Sequence, residues 1–307
     1  MTLQQLEYIL ALDTYRHYVT AAEKCFVTQP TITIQVKKLE DEIGVQIFDR
    51  SKTPLEPTPL GEIILSKARS IIQEVQQLKE IVNHERENIA GEFKIGIIST
   101  ISPYIIPRFI GSFMKEYPDT QLDINEMQTE EIIKALDKGQ IDVGILVTPL
   151  DEHFLREIPL YNEPFVYYGS TELPLKSNTS ITAGDIEHLE GLWLLNSGHC
   201  FRNQVLNICN SPKSKKNIEF QSGSIETLKR MVDNYGGFTL IPEMGLSELD
   251  GAKVIHFTEP KPIREVSIVV HKSFAKENLL QVLRKEILKI VPSNFKKNER
   301  FIKIKWR

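Results

Sequence analysis

Val27-Thr28-Gln29-Pro30-Thr31-Ile32-Thr33-Ile34-Gln35-Val36-Lys37-Lys38-Leu39-Glu40-Asp41-Glu42-Ile43-Gly44 decides how the N-terminal part of this chain folds. Thr28 is an N-cap candidate, Pro30 falls in the first turn, where its missing N–H costs nothing, and Gly44 ends the run. Between these limits Ile32, Ile34, Val36, Leu39 and Ile43 interleave with Thr31, Thr33, Gln35, Lys37 and Lys38, as in an amphipathic helix. Short polar side chains near its start can reach base edges, and lysines further on can meet phosphates. The same pattern also suits a protein-binding or purely structural helix.

Two short helices precede it. Leu3, Leu6, Ile9, Leu10 and Leu12 recur at helical spacing, and Val19 to Cys25 carries Ala21 and Ala22, small enough for close packing. Cys25, beside Phe26, reads as core filler. After Gly44, the stretch Phe48-Asp49-Arg50-Ser51-Lys52 to Pro57 reads as a two-stranded wing, with Arg50 and Lys52 available to the DNA backbone or minor groove. Between Tyr15 and Lys52 six basic residues (Arg16, Lys24, Lys37, Lys38, Arg50, Lys52) face five acidic ones (Glu23, Glu40, Asp41, Glu42, Asp49), so any DNA-directed field comes from placement.

Pro57-Thr58-Pro59-Leu60-Gly61 marks a new start. Leu60, Ile63, Ile64, Ala68, Ile71, Ile72, Val75, Leu78 and Val82 then keep three-to-four spacing, opposite Glu62, Lys67, Arg69, Glu74 and Lys79. One long apolar stripe seeks a partner helix, which predicts a dimer and a roughly palindromic DNA site.

From Phe93 the periodicity changes. Strands at Phe93 to Ile98, Leu122 to Asn125 and Val143 to Val147 alternate with helices at Pro107 to Tyr117 and Glu130 to Gly139, predicting an α/β region with a parallel sheet. A second set, Phe165 to Tyr168, Leu192 to Leu195, Ile218 to Gln221, Phe238 to Ile241 and Val266 to Val270, ends in a helix after Lys276. Two similar lobes follow, joined near Glu163-Pro164 and Pro260 to Arg264. Ligands in such sheets sit beyond the carboxyl ends of the strands, where Thr100 and Thr129 stand. For Thr129, followed by Glu130 and Glu131, helix capping competes with ligand binding.

Gly198-His199-Cys200-Phe201-Arg202-Asn203-Gln204-Val205-Leu206-Asn207-Ile208-Cys209 holds two of the three cysteines. As straight helix it separates Cys200 from Cys209 by about 13 Å and half a revolution, whereas a disulfide needs Cα atoms within roughly 7 Å. Bond and helix exclude each other. Two inert core cysteines would show the same spacing. Cys200 in a first turn, with Arg202 and His199 adding positive potential, is expected to have a lowered pKa and to react with peroxide.

The chain of 307 residues, 41% hydrophobic, with net charge -4, has an ordinary globular composition and no general nucleic-acid-binding coat. It shows no secretory leader and no run of 18 apolar residues, so a cytoplasmic location without membrane contact is expected. Three cysteines form no zinc set or disulfide framework, and neither metal nor cofactor is expected.

Leu3-Gln4-Gln5-Leu6-Glu7-Tyr8, Ala21-Ala22-Glu23, Val27 to Thr33, Lys38-Leu39-Glu40, Gly44-Val45 and Phe48-Asp49-Arg50 together resemble the winged helix-turn-helix of LysR-type transcriptional regulators. The resemblance implies DNA contacts at Thr28, Gln29, Pro30, Thr31, Thr33, Gln35, Lys38 and Arg50. It also implies a periplasmic-binding-protein-like two-lobed regulatory domain behind an N-terminal all-α winged helix-turn-helix. Residues 1–58 would form the DNA-binding domain, 59–90 the linker helix and 91–307 the sensor. Lobe I of the sensor would take 91–163 and 265–307, and lobe II 164–264. Ile97 to Pro107, Glu126 to Leu136, Ser197 to Cys209 and Ser224 to Val232 further resemble the peroxide-responsive members of that family.

By that resemblance Cys200 is the peroxidatic residue and Cys209 resolves it in a reversible disulfide, while Thr100, Thr129, His199 and Arg202 shape a peroxide pocket. The protein would be a non-enzymatic activator of oxidative-stress genes. Its partners would be double-stranded promoter DNA, RNA polymerase and copies of itself in a homodimer or homotetramer. A LysR-type regulator answering a small organic effector explains everything except the cysteines, and a thiol peroxidase explains only them. The basic tail from Phe295 to Arg307 (Lys296, Lys297, Arg300, Lys303, Lys305, Arg307, against Glu299) is expected to be a solvated extension.

Overall fold

The computed structural model describes residues 1–83, 89–170, 180–187, 189–209, 222–247, 250, 254–296 and 301–306. The chain divides into two compact units, Met1–Glu87 with Ser273–Lys276, and Asn88–Lys272 with Glu277–Arg307.

In the first unit α1 (Leu3–Tyr15), α2 (Tyr18–Lys24) and α3 (Gln29–Ile43) surround a core of Leu6, Ile9, Leu12, Ala21, Ala22, Ile32, Val36, Leu39 and Phe48. Cys25 packs partly buried against it. Thr2 and Gln5 cap α1 reciprocally, and Gly44, at φ 72°, closes α3 in the left-handed conformation that glycine adopts without strain. Thr28 occupies the N-cap of α3, but its hydroxyl meets that of Thr31 at 2.8 Å rather than a backbone amide.

The wing pairs β1 (Phe48–Asp49) with β2 (Glu56–Pro57) antiparallel. Buried Glu40 anchors it: one carboxylate oxygen accepts the amides of Ile47 (2.8 Å) and Phe48 (3.3 Å), and the other takes Arg50 at 2.6 Å. The long helix α4 (Pro59–Asn83) joins this core through Leu65, Ala68 and an Arg69–Asp13 ion pair. Its Gly61 passes so close to Ile47 that an added Cβ would lie 2.0 Å from the carbonyl oxygen. Leu60, Ile63, Ile71 and Leu78 remain exposed on α4, and Ser70, Ile71, Glu74, Val75 and Leu78 line a shallow hollow. The side chains of Lys79 and Val82 lie outside the described residues.

The second unit carries β3 (Gly91–Ile97), α5 (Ser102–Glu116), β4 (Thr120–Glu126), α6 (Thr129–Asp137) and β5 (Val143–Thr148) in one lobe. The other lobe holds β7 (Ser180–Ile181), α7 (Ala183–Ile186), α8 (Cys200–Cys209), α9 (Ile225–Tyr235), β8 (Phe238–Pro242) and β9 (Val254–Phe257). Two long strands, β6 (Leu155–Gly169) and β10 (Lys261–His271), serve both, followed by α10 (Glu277–Ile290) and β11 (Phe301–Lys303). Sheet order is β4-β3-β5-β10-β6-β9-β7, with β11 on β10 and β8 on β6.

The predicted parallel sheet is mixed. Pairings β3–β4 and β3–β5 are parallel, but β10 enters antiparallel between β5 and β6, because strands passing in opposite directions between lobes must pair so. Helix α5 starts at Ser102, before the expected Pro107, with Pro103 in its first turn and Pro107 inside. Leu192 to Leu195 makes only two isolated bridges, Leu192 with Phe238 and Leu195 with Ser222. The predicted strand Ile218 to Gln221 lies outside the described residues, as do Lys297, Glu299, Arg300 and Arg307.

The tail departs most from expectation. Phe301–Lys303 pairs parallel with β10, and Trp306 is 5% exposed, so the segment is docked rather than solvated. Among the described residues no helix is long and apolar enough to cross a membrane.

Candidate functional site

Helix α8 starts at Cys200 and ends at Cys209, both buried, reduced and at opposite ends of ten residues. Gly198 sets its approach: at φ 108° it holds a conformation that L residues resist, and an added Cβ would lie 2.5 Å from Gln128 Oε1. Gln128 itself caps α6 in a reciprocal box with Glu131. Thr129 is therefore the first residue inside that helix and not its cap. Its hydroxyl is buried without a complete hydrogen bond, beside the Cys200 sulfur, where it favours the thiolate.

Thr100, 1% exposed, is held by Arg264, whose Nη1 donates to its hydroxyl and Nη2 to its carbonyl, each at 2.9 Å. Arg264 in turn pairs with Glu163 through Nε at 2.8 Å and Nη2 at 2.7 Å, and both residues are 1% exposed. The two face each other in register across β6 and β10. Glu163 also accepts the Met244 amide at 3.1 Å. The guanidinium lies 5.4 Å from the centre of the Phe201 ring, which stacks on Phe165 at 5.5 Å. A positive charge is thus locked at the lobe junction, next to the start of α8.

The electrostatics differ from the sequence expectation. Burial pushes the Cys200 thiol up, outweighing Thr129, Arg264 and the amides of Phe201 and Cys200, all of which pull it down. Cys209, with burial alone acting, is pushed up to about 12. Desolvation holds His199 below its ordinary value, which works against the positive potential expected of it; its Nδ1 stands 3.3 Å from Ser99 Oγ. Arg202 spends its guanidinium on the Leu195 carbonyl at 2.8 Å. The cation acting on the sulfur is Arg264.

Thr100, Thr129, Cys200 and Arg264 are therefore gathered at one junction, with His199 and Arg202 at its edge and Cys209 apart. Arg264 and Glu163 were missed in the sequence, although one arginine and one glutamate inside the two predicted crossing segments were the signal. Burying both charges costs several kcal/mol per ion unless they pair, so their placement implied each other.

Of the helix-turn-helix residues, Thr28, Gln29, Pro30, Lys38 and Arg50 are exposed, and Thr31, Thr33 and Gln35 half-buried. Thr33 donates to the Gln29 carbonyl at 2.8 Å, and Gln35 accepts from Gln5 at 3.3 Å. Arg50 remains exposed while its guanidinium pairs with the buried Glu40 carboxylate.

Residues 3–62 match the bacterial regulatory helix-turn-helix proteins of the lysR family, and residues 86–290 match the LysR substrate binding domain. The chain belongs to the LysR family. Within that family it is 32% identical over 272 residues to the hydrogen peroxide-inducible genes activator of Haemophilus influenzae, covering 88% of this chain and 90% of that one. A solved structure of full-length OxyR from Pseudomonas aeruginosa, with a cysteine-to-aspartate substitution, is 33% identical and superposes with a TM-score of 0.82. That match covers 97% of this chain and 98% of the other. A hydrogen-peroxide-bound cysteine-to-serine mutant of OxyR from Corynebacterium glutamicum is 26% identical, with a TM-score of 0.61, covering 94% of this chain and 92% of the other. This LysR-family chain has the helical DNA-binding unit and the two-lobed α/β unit of those structures. Among the described residues no cluster of His, Cys, Asp or Glu could hold a metal ion.

Proposed function

We propose that this LysR-family protein is a hydrogen-peroxide-sensing transcriptional activator, switched by a reversible disulfide between Cys200 and Cys209. The observation that carries the reading is the placement of Cys200. Its sulfur lies at the lobe junction beside Thr129 and within the field of Arg264, while Cys209 closes the same helix.

The Cys200 thiolate attacks one peroxide oxygen; the O–O bond breaks, giving a sulfenic acid and hydroxide, which takes up the proton the thiol released. The Cys209 sulfur then attacks the sulfenic sulfur, forming S–S and releasing water. Thr100 and Thr129 offer hydroxyls to the peroxide oxygens, and Arg264 stabilises the anions. The second step requires α8 to unwind, because the helix holds Cys200 and Cys209 about 13 Å apart along its axis and on opposite faces, and burial keeps Cys209 protonated.

Residues 1–58 serve as the DNA-binding domain, 59–90 as the dimerisation helix and 91–307 as the sensor, with lobes 91–163 plus 265–307 and 164–264. Thr28, Gln29, Pro30, Thr31, Thr33, Gln35, Lys38 and Arg50 meet promoter DNA in the bacterial cytoplasm, and the exposed stripe Leu60, Ile63, Ile71 and Leu78 pairs two copies within a homotetramer. RNA polymerase is the downstream partner.

Mass spectrometry of thiol-blocked peptides before and after one equivalent of hydrogen peroxide, paired with DNA footprinting, tests the reading. A Cys200–Cys209 bond with a changed footprint is expected. Cysteines that stay reduced, or a footprint indifferent to the bond, would overturn it. A response that survives Cys200→Ser would favour an organic effector instead.

A further inference from the structure

The C-terminal segment is fastened to the helix that bears the two cysteines. Asn203 Nδ2 donates to the Trp306 carbonyl at 3.0 Å, Gln204 Nε2 to the Ile304 carbonyl at 2.9 Å, and Asn207 Nδ2 to the Lys305 carbonyl at 2.8 Å. Counted from Cys200, these residues fall at i+3, i+4 and i+7, one stripe of the helix. Cys209, nine residues on, faces the opposite side. Gln204 is fully buried.

The other edge of the segment belongs to the crossing strand. Phe301, Ile302 and Lys303 pair with Lys261, Pro262 and Ile263, and the Ile304 amide donates to the Ile263 carbonyl at 2.9 Å. The Trp306 indole donates to the Pro149 carbonyl at 3.0 Å. Residues 301–306 thus lie between β10 and α8, gripped by backbone bonds on one side and side-chain amides on the other.

We infer that this segment is a latch on α8, which opens when the helix unwinds. The inference rests on the disulfide reading above. Three side-chain amides meet three consecutive carbonyls only while α8 is helical, because the helix sets their spacing. Drawing Cys209 to Cys200 scatters them and leaves the three carbonyls to water. The segment therefore resists the second oxidation step, and its detachment accompanies bond formation. It sets how readily a sulfenic acid at Cys200 proceeds to the disulfide.

Two sets of measurements on the full-length protein test this. Asn203 and Asn207 are exposed, so Asn207→Ala and the double variant Asn203→Ala/Asn207→Ala remove latch bonds without opening the core. In the reduced protein, hydrogen exchange of the α8 amides should quicken about tenfold in the double variant and less in Asn207→Ala; unchanged exchange overturns the latch. After one equivalent of hydrogen peroxide, timed thiol blocking should show the disulfide forming several-fold faster in the double variant.

In a Trp193→Phe background Trp306 is the sole tryptophan, and its emission should shift to the red at the rate of disulfide formation. Emission unchanged after the bond is complete overturns the release. If the wild-type chain forms no disulfide, the switch reading falls and the coupling with it, while the exchange data still decide whether the segment holds α8.

Discussion

Arg264 binds Thr100 twice, at the hydroxyl and at the backbone carbonyl, both at 2.9 Å, while Glu163 holds the rest of its guanidinium. One side chain therefore fixes the orientation of the Thr100 hydroxyl, the junction of two strands and the charge near Cys200. Arg264→Met would strand the Glu163 carboxylate in the interior, at a cost of about 3–5 kcal/mol. Urea unfolding should show that loss, and an unchanged midpoint would contradict the pairing. Arg264→Lys retains a cation but not the fork, and should slow Cys200 sulfenylation while losing less stability.

The raised pKa of Cys200 makes its thiolate a minor species at neutral pH. Below that pKa the thiolate fraction grows tenfold per pH unit, so initial rates of Cys200 oxidation should rise with pH from 6 upward, by a factor of about 10 per unit. A rate independent of pH across this range would mean that the sulfur is already ionised.

Cys209 gives a stability signature. Its folded pKa of about 12 lies above the ordinary 9.0, so between these values the unfolded chain releases a proton that the folded chain retains. The contribution is whole below pH 9 and declines as pH rises, by up to about 1.4 kcal/mol per unit. Wild type should lose stability relative to Cys209→Ala between pH 8 and pH 10.5. Parallel unfolding midpoints would place Cys209 in water.

On α3, Gln29 and Lys38 are both exposed but belong to different parts of the helix. Lys38→Ala should weaken binding to all DNA sequences alike and reduce the slope of log affinity against log salt by about 1. Gln29→Ala should cost about 1–3 kcal/mol at one base position and leave that slope alone. Binding titrations at several salt concentrations separate the two.

The helix-turn-helix was legible because its signals are local: Pro30 and Gly44 punctuate α3, and Ile32, Val36 and Leu39 mark its buried side. The alternation of strands and helices likewise announced the two lobes. What the sequence could not convey was pairing across distance. Nothing local in Val266 to Val270 says that the strand lies antiparallel between two others, and nothing in the basic tail says that its carbonyls meet Asn203, Gln204 and Asn207. The same holds for Cys200, whose position at a helix start suggested a lowered pKa. Burial, a property of the assembled lobes, decides the opposite sign.

Strands β6 and β10 run from one lobe into the other, paired from Ile263 with Pro164 to His271 with Leu155, with one register shift between Val266 and Ser267. Two lobes built on such a shared beam move against each other only by bending it, and a strand pair bends most readily where its register shifts.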